Sequence, residues 1–221
     1  HSLEGLTTSI AHELRTPLAA LRLQVQGLAR APDDAARRVA SERVMAGIDR
    51  ATRMVEQLLH LARQEAGQMQ AAPAQPVAVA ALCEMAVDEL QPLAQQAGLA
   101  LQRQLDDTLE PVQGQADALG LLLRNLLENA LRYTPTGGQV LCRWYRDAQG
   151  QRVLSVEDSG PGIVPEERER VLDRFYRVPG TSAHGSGLGL AIVNAVARQH
   201  GALLLLDASE ELGGLRVRVI F

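Results

Sequence analysis

The sequence predicts an α+β protein in two unlike parts: a helical hairpin dimerising into a four-helix bundle, then one mixed sheet covered by helices on one face. Three observations carry this expectation. Residues 3–66 show helical periodicity with a single break, residues 67–76 (GQMQAAPAQP) are polar, small and proline-bearing, and beyond them short alternating runs are interspersed with helical patterns. At 221 residues and 46% hydrophobic content the chain is long and apolar enough to bury a core.

The first helix carries a stripe of Leu3, Leu6, Ile10, Leu14, Leu18, Leu21, Val25 and Leu28, whose spacing slips around Leu14, where Pro17 bends the helix. Turn signals at Ala31–Asp34 separate it from a second helix. There Met45, Ile48, Thr52, Val55, Leu59 and Ala62 step by 3,4,3,4,3, the seam spacing of a bundle. Two helices with so narrow a seam bury too little surface to stand alone, so a second copy is expected to complete the bundle as a homodimer. Packing of the hairpin on its own C-terminal half is the alternative. After the linker, Val79–Ala97 reads as a helix, Ala100–Leu105 as a strand and Ala116–Tyr133 as a helix. Gln139–Arg146 and Arg152–Glu157 read as strands joined by a turn at Asp147–Gly150, and Gly187–His200 as a helix. Leu203–Asp207 and Leu215–Phe221 are the closing strands.

Composition removes several function classes. A net charge of −4 with 3% aromatic residues offers neither the basic surface nor the stacking platforms of a nucleic-acid reader. Cys83 and Cys142 form no metal or CxxC spacing, which points to packing in a reducing setting and excludes a disulfide framework. The longest apolar stretches, Leu119–Leu123 and Ala202–Leu206, fall well short of the roughly 20 residues a membrane span needs. No signal peptide precedes the helical pattern that begins just after His1 and Ser2, so the chain is expected to be a piece of something longer.

Four segments are candidates for chemistry. His12 in SIAHELRTPLAAL lies about 200° around the helix from Ile10 and Leu14, so it faces away from the apolar stripe, beside Glu13 and one turn from Thr16. HExxT lacks the second histidine of a zinc protease, which leaves a nucleophile with a proton acceptor or an ordinary surface histidine. In LLRNLLENALRYTP, Leu119, Leu123, Leu126, Ala130 and Tyr133 form the expected core stripe, with Leu122, Asn125, Asn129 and Arg132 as the adjacent row at the core's edge. Two carboxamides one turn apart offer oxygens suited to Mg²⁺ and Arg132 can meet phosphate, or these are simply polar residues at a helix boundary. EDSGPGI places Asp158 at a strand end, able to accept from an amino group such as a purine's, with Gly160 and Gly162 allowing close backbone approach; any strand-ending turn is the alternative. HGSGLGLAIV leads a run of glycines, Gly185, Gly187 and Gly189, into a helix N-terminus, either an anion site or a hinge. It is neither a Walker A loop nor a dinucleotide fingerprint.

Taken in order, these residues resemble a known family, the catalytic core of sensor histidine kinases of two-component signalling. AHELRTPL resembles the phosphoacceptor H-box, NLLENALRYTP the N-box, DSGPGI the G1 box, RFYR the F-box and GSGLGLAIV the G2 box. The resemblance covers nearly the whole length, and GIDRATRMVEQLL, RNLLENALRYTP and RFYRVPGTS most resemble the quorum-sensing and polymyxin-resistance sensors.

The resemblance implies a dimerisation and histidine phosphotransfer domain at 1–67, a linker at 68–77 and a Bergerat-type ATP-binding α/β sandwich at 78–221. It implies ATP and Mg²⁺, with His12 attacking the γ-phosphate, Glu13 as base or orienting partner, and Thr16 positioning water for the reverse phosphatase reaction. Pro17 would let the helix shift. Asn129 and Asn125 would hold the metal, Arg132 would touch phosphate, Tyr133 would flank the nucleotide, and Asp158 would read the adenine amino group beside Gly160 and Gly162. Phe175 and Arg177 would steady the lid, and Gly185, Gly187, Leu188 and Gly189 would wrap the phosphates. The implied partners are a second copy and the receiver domain of a response regulator, with the membrane reached only through segments absent from this chain, the cytoplasmic portion of a bacterial inner-membrane protein. Two departures stand out. The lid between Arg177 and Gly185 is short, and Leu215 follows Gly213 and Gly214 where many members carry a threonine, a position expected on the phosphate side. Other ATPases of this fold lack a phosphoacceptor histidine on a preceding hairpin, and a non-catalytic binding module is countered by the intact Asn129, Asp158 and glycine boxes.

Overall fold

A computed structural model describes residues 18–65, 73–179 and 187–221. The chain divides into two compact units, His1–Gln70 and Ala71–Phe221.

In the first unit, α1 is helical over residues 18–29 and α2 spans Asp34–Glu65. Pro32 cannot continue α1, and Asp33 starts α2 by accepting the Ala36 N–H on Oδ1 at 2.7 Å. On α2, Ala36, Ala40, Val44 and Gly47 form a row at helical spacing that is half-buried or buried. The periodic seam is not consumed there: Met45, Ile48 and Val55 are 57%, 43% and 40% exposed.

The second unit holds a five-stranded sheet in the order β2-β4-β5-β7-β6 and a small two-stranded sheet, β1-β3. Its elements in chain order are β1 (Gln75–Val77), α3 (Val79–Ala97), β2 (Ala100–Leu105), β3 (Val112–Gly114), α4 (Ala116–Tyr133), β4 (Gln139–Arg146), β5 (Arg152–Asp158), α5 (Gly189–Gln199), β6 (Leu203–Ala208) and β7 (Leu215–Ile220). Two 3₁₀ turns, Pro165–Glu167 and Arg170–Leu172, lie between β5 and α5. β2 runs parallel to β4 and every other pairing in the large sheet is antiparallel. The register aligns Val140, Cys142 and Trp144 of β4 with Asp158, Val156 and Leu154 of β5, and the last two with Val217 and Val219 of β7. That face is buried against α3, α4 and α5. Under α3, the Cys83 thiol hydrogen-bonds the Cys142 thiol; this bond and burial push the Cys83 thiol far above its ordinary pKa. The opposite face carries two hydrogen-bonded groups, Gln104, Arg143 and Glu157 in one and Arg218 with Asp207 in the other.

Besides one-residue shifts at the C-terminal ends of α5, β6 and β7, the structure differs from the sequence expectation in four places. Residues 75–77 fall within the expected linker but pair with Val112–Gly114, and three-residue strands are too short to show a period. β5 runs one residue further, so Asp158 is the last residue of a strand rather than of a loop. α5 begins at Gly189 because Gly187 adopts φ +71°, which no helix accommodates. Finally, Leu122 and Asn125 are 0% and 3% exposed, inside the core rather than at its edge, while Tyr133 is only half-buried. α4 lies between α3 and α5, so its buried arc is wider than one stripe.

Candidate functional site

Asp158 is 5% exposed at the end of β5. Its Oδ1 accepts the N–H groups of Gly160 at 2.8 Å and Leu215 at 3.2 Å, and its carbonyl accepts the Gly214 N–H at 3.0 Å. Among the described residues both hydrogen bonds to the carboxylate go to Oδ1, which leaves Oδ2 as an acceptor for a ligand. Burial raises the pKa of Asp158, and the two backbone N–H groups partly oppose that rise. Gly214 must be glycine: a Cβ there would lie 2.3 Å from the Asp158 carbonyl oxygen and 2.4 Å from Oδ1. The Leu215 position thus lies against the acid through its backbone N–H.

The asparagines of α4 face the start of α5. A Cβ on Gly189 would lie 2.8 Å from Asn129 Nδ2 and 3.4 Å from Asn125 Oδ1. Asn125 Nδ2 donates to the Leu121 carbonyl at 2.8 Å, which fixes the amide so that its oxygen faces Gly189. Carboxamide oxygens and the first N–H groups of a helix therefore share one place, a setting for an anion and a hard cation together. Leu188 contributes backbone there, since its side chain is fully buried in the core. Tyr133 presents its carbonyl to Gly160, where a Cβ would lie 2.8 Å from it. Gly162, at φ +68°, runs past the Gly214 backbone. Arg132 and Arg177 are exposed.

Phe175 is joined to the glycine loop through its backbone. It holds φ +63°, an unusual conformation for a bulky residue that costs about 1–2 kcal/mol, and its N–H donates to the Gly187 carbonyl at 3.0 Å. A Cβ on Gly187 would lie 2.7 Å from the Phe175 carbonyl carbon, so the contact requires glycine on one side. The next residue is anchored twice: the Tyr176 hydroxyl donates to Glu167, and the Arg170 guanidinium lies 4.3 Å from the ring centroid. The hydrogen bond to Glu167, with some burial, raises the Tyr176 pKa.

The structure therefore brings Asn125, Asn129 and Gly189 together at one place, Asp158, Gly160, Gly162 and Tyr133 at another, and Phe175 with Gly187 at a third. His12, Glu13, Thr16, Pro17 and Gly185 lie outside the described residues. Sequence reasoning missed the role of the β6–β7 turn in holding Asp158. Its only signal was the Gly213-Gly214 pair, whose partner is 56 residues away from Gly214 along the chain.

Residues 2–67 match the family described as His Kinase A (phospho-acceptor) domain, and residues 114–221 match Histidine kinase-, DNA gyrase B-, and HSP90-like ATPase. Over 208 residues the chain is 40% identical to the Sensor protein QseC of Salmonella typhi, covering 94% of this chain and 45% of that protein. It is also 40% identical over 216 residues to the Sensor protein kinase PmrB of Pseudomonas aeruginosa, covering 97% of this chain and 44% of that protein. The chain thus spans somewhat less than half the length of these relatives. Among solved structures, the mycobacterial sensor histidine kinase MprB aligns with a TM-score of 0.57 and 31% identity, covering 67% of this chain and 96% of that one. A phospho-acceptor module running into an ATPase module, continuous with sensor kinases over nearly its whole length, places this chain in the sensor histidine kinase family.

Proposed function

We propose that this chain is a kinase core that phosphorylates itself on His12 from ATP and passes the phosphoryl group to an aspartate of a response-regulator receiver domain. The observation that carries the reading is the strand-end carboxylate of Asp158, held by Oδ1 with Oδ2 left to accept an adenine amino group. Polyphosphate then belongs at the N-terminus of α5, where Gly187 and Gly189 bring backbone N–H groups close and Asn125 and Asn129 supply oxygens. Gly185 and Arg132 extend that phosphate contact, Tyr133 flanks the base, and Phe175 and Arg177 steady the lid, Phe175 through its tie to the glycine loop.

The donor set fits Mg²⁺. Among the described residues no group of three or more His, Cys, Asp or Glu side chains is placed to hold a metal. Asn129, with Asn125, would hold the cation through amide oxygens, hard donors that suit a small ion which keeps much of its water. Bound there, it would neutralise charge on the phosphate oxygens. A ring nitrogen of His12 attacks the γ-phosphorus in line, the bond from phosphorus to the β–γ bridging oxygen breaks, ADP departs, and Glu13 takes the imidazole proton. The receiver carboxylate then attacks the phosphohistidine phosphorus and regenerates the imidazole. Thr16 positions water for hydrolysis of the regulator's phosphoryl group, and Pro17 lets the helix carrying His12 shift.

The exposed Met45, Ile48 and Val55 support a homodimer, since a second hairpin would cover them and complete the bundle. We assign residues 1–67 to dimerisation and phosphotransfer, 68–77 to a linker and 78–221 to ATP binding. Among the described residues no helix is long and apolar enough to cross a membrane. The likeness to sensor proteins, not this absence, supports reading the chain as the cytoplasmic portion of a bacterial inner-membrane sensor whose anchor would lie in other segments.

Incubation with γ-labelled ATP and Mg²⁺ tests the proposal. Acid-labile, base-stable label is expected on the wild-type chain and none on His12→Ala. No label on the wild type, or equal label on the variant, overturns it.

A further inference from the structure

Glu157 precedes Asp158 on β5, so its side chain points to the opposite face of the sheet, away from the nucleotide face. It is 2% exposed, a burial that a carboxylate tolerates only when paired and hydrogen-bonded. Arg143 Nη1 donates to Oε1 at 2.9 Å and Ser209 Oγ donates to Oε2 at 2.6 Å. Arg143 also binds Glu211, in the turn between β6 and β7, and Gln104 Oε1 at 2.9 Å.

Ser209 organises that turn. Its Oγ accepts the Leu212 N–H at 3.0 Å, its carbonyl accepts the Gly213 N–H at 2.9 Å, and its own N–H donates to the Gly214 carbonyl at 2.8 Å. The β6–β7 ladder ends at the Ala208–Leu215 pair, so the six residues between them take their shape from these bonds and not from the sheet. Where the turn leaves, the Gly214 and Leu215 N–H groups reach the carbonyl and Oδ1 of Asp158.

We infer that Glu157 and Ser209 are positioning residues for base recognition: from the far side of the sheet they set the β6–β7 turn, whose last two N–H groups fix Asp158 in the orientation that selects adenine. Neither touches the nucleotide. The inference rests on the reading of Asp158 as the adenine acceptor. The tolerance is tight, because Gly214 approaches Asp158 with no room for even a methyl group.

The test compares binding of ADP and inosine diphosphate, each with Mg²⁺, to the 221-residue chain by calorimetry. Inosine carries a carbonyl where adenosine carries the amino group. Ser209→Ala is expected to weaken ADP by roughly three- to tenfold while leaving inosine diphosphate unchanged, the scale of one hydrogen bond. Ser209→Thr, which keeps the hydroxyl, should retain the wild-type preference. Equal weakening of both nucleotides, or an undiminished preference in Ser209→Ala, overturns the inference. A wild-type chain with no preference for ADP instead overturns the reading of Asp158 itself. Amide exchange in Glu157→Gln gives an independent readout should Ser209→Ala fail to fold. The Leu212, Gly214 and Leu215 amides should exchange faster than in the wild type, and unchanged exchange also overturns the inference.

Discussion

Burial raises the pKa of Asp158 above the ordinary aspartate value, and the N–H groups of Gly160 and Leu215 pull it partly back. Between the unfolded and the raised folded pKa the native state holds more protons than the unfolded chain, so stability falls as pH rises through that window. Above it the ionised carboxylate is a standing cost to the fold, kept because the charged form is the better acceptor for an amino group. Asp158→Asn is therefore expected to melt at neutral pH no lower than the wild type while binding ADP roughly ten- to hundredfold more weakly, the scale of a hydrogen bond to a charged group. Thermal unfolding and calorimetry on the same samples check both halves. Asp158 was legible in the sequence because it stands in DSGPGI, between a strand and glycines. Glu157 and Ser209 were not, since their bond joins residues 52 apart on the hidden face of a sheet.

Long elements with a clear period were legible almost to the residue: α3, β2, α4 and β4 have the bounds their apolar spacing predicts. What spacing could not supply was how many neighbours each element has. α4 packs against α3 and α5 at once, which draws Leu122 and Asn125 inside. The N-terminus of α4 shows a second dependence of this kind. No side chain of its own caps it; instead His200, just past α5, accepts the Gln115 N–H on Nε2 at 3.1 Å, with Nδ1 2.8 Å from the Val196 carbonyl. Those partners place the ring proton on Nδ1. His200→Ala leaves the Gln115 N–H without that acceptor and should destabilise the ATP-binding unit by about 1 kcal/mol, a drop of a few degrees in Tm by calorimetry.

Across the molecule, the two units divide the work between a surface left uncovered and a core already closed. Met45→Asp puts a charge on the exposed seam of α2 and should shift the chain from dimer to monomer by light scattering. ADP affinity should stay unchanged, because every residue proposed to hold ADP lies in the other unit, and His12 is proposed to meet only the γ-phosphorus of ATP. The seam of α2 was legible because it is periodic, and Met45, Ile48 and Val55 on it are exposed, whereas the small β1-β3 sheet left no period to find. Cys83 and Cys142 complete the division in a different way. They are the chain's only sulfhydryls, both belong to the Ala71–Phe221 unit, and both are fully buried, with Cys83 further passivated by its bond to Cys142. Such thiols react only when the surrounding core opens. Labelling by a thiol-reactive dye thus serves as an internal clock for opening of that unit, silent toward anything the hairpin does. ADP should slow this clock in proportion to its occupancy, and a labelling rate indifferent to ADP would mean that nucleotide binds without restraining the core around the pair.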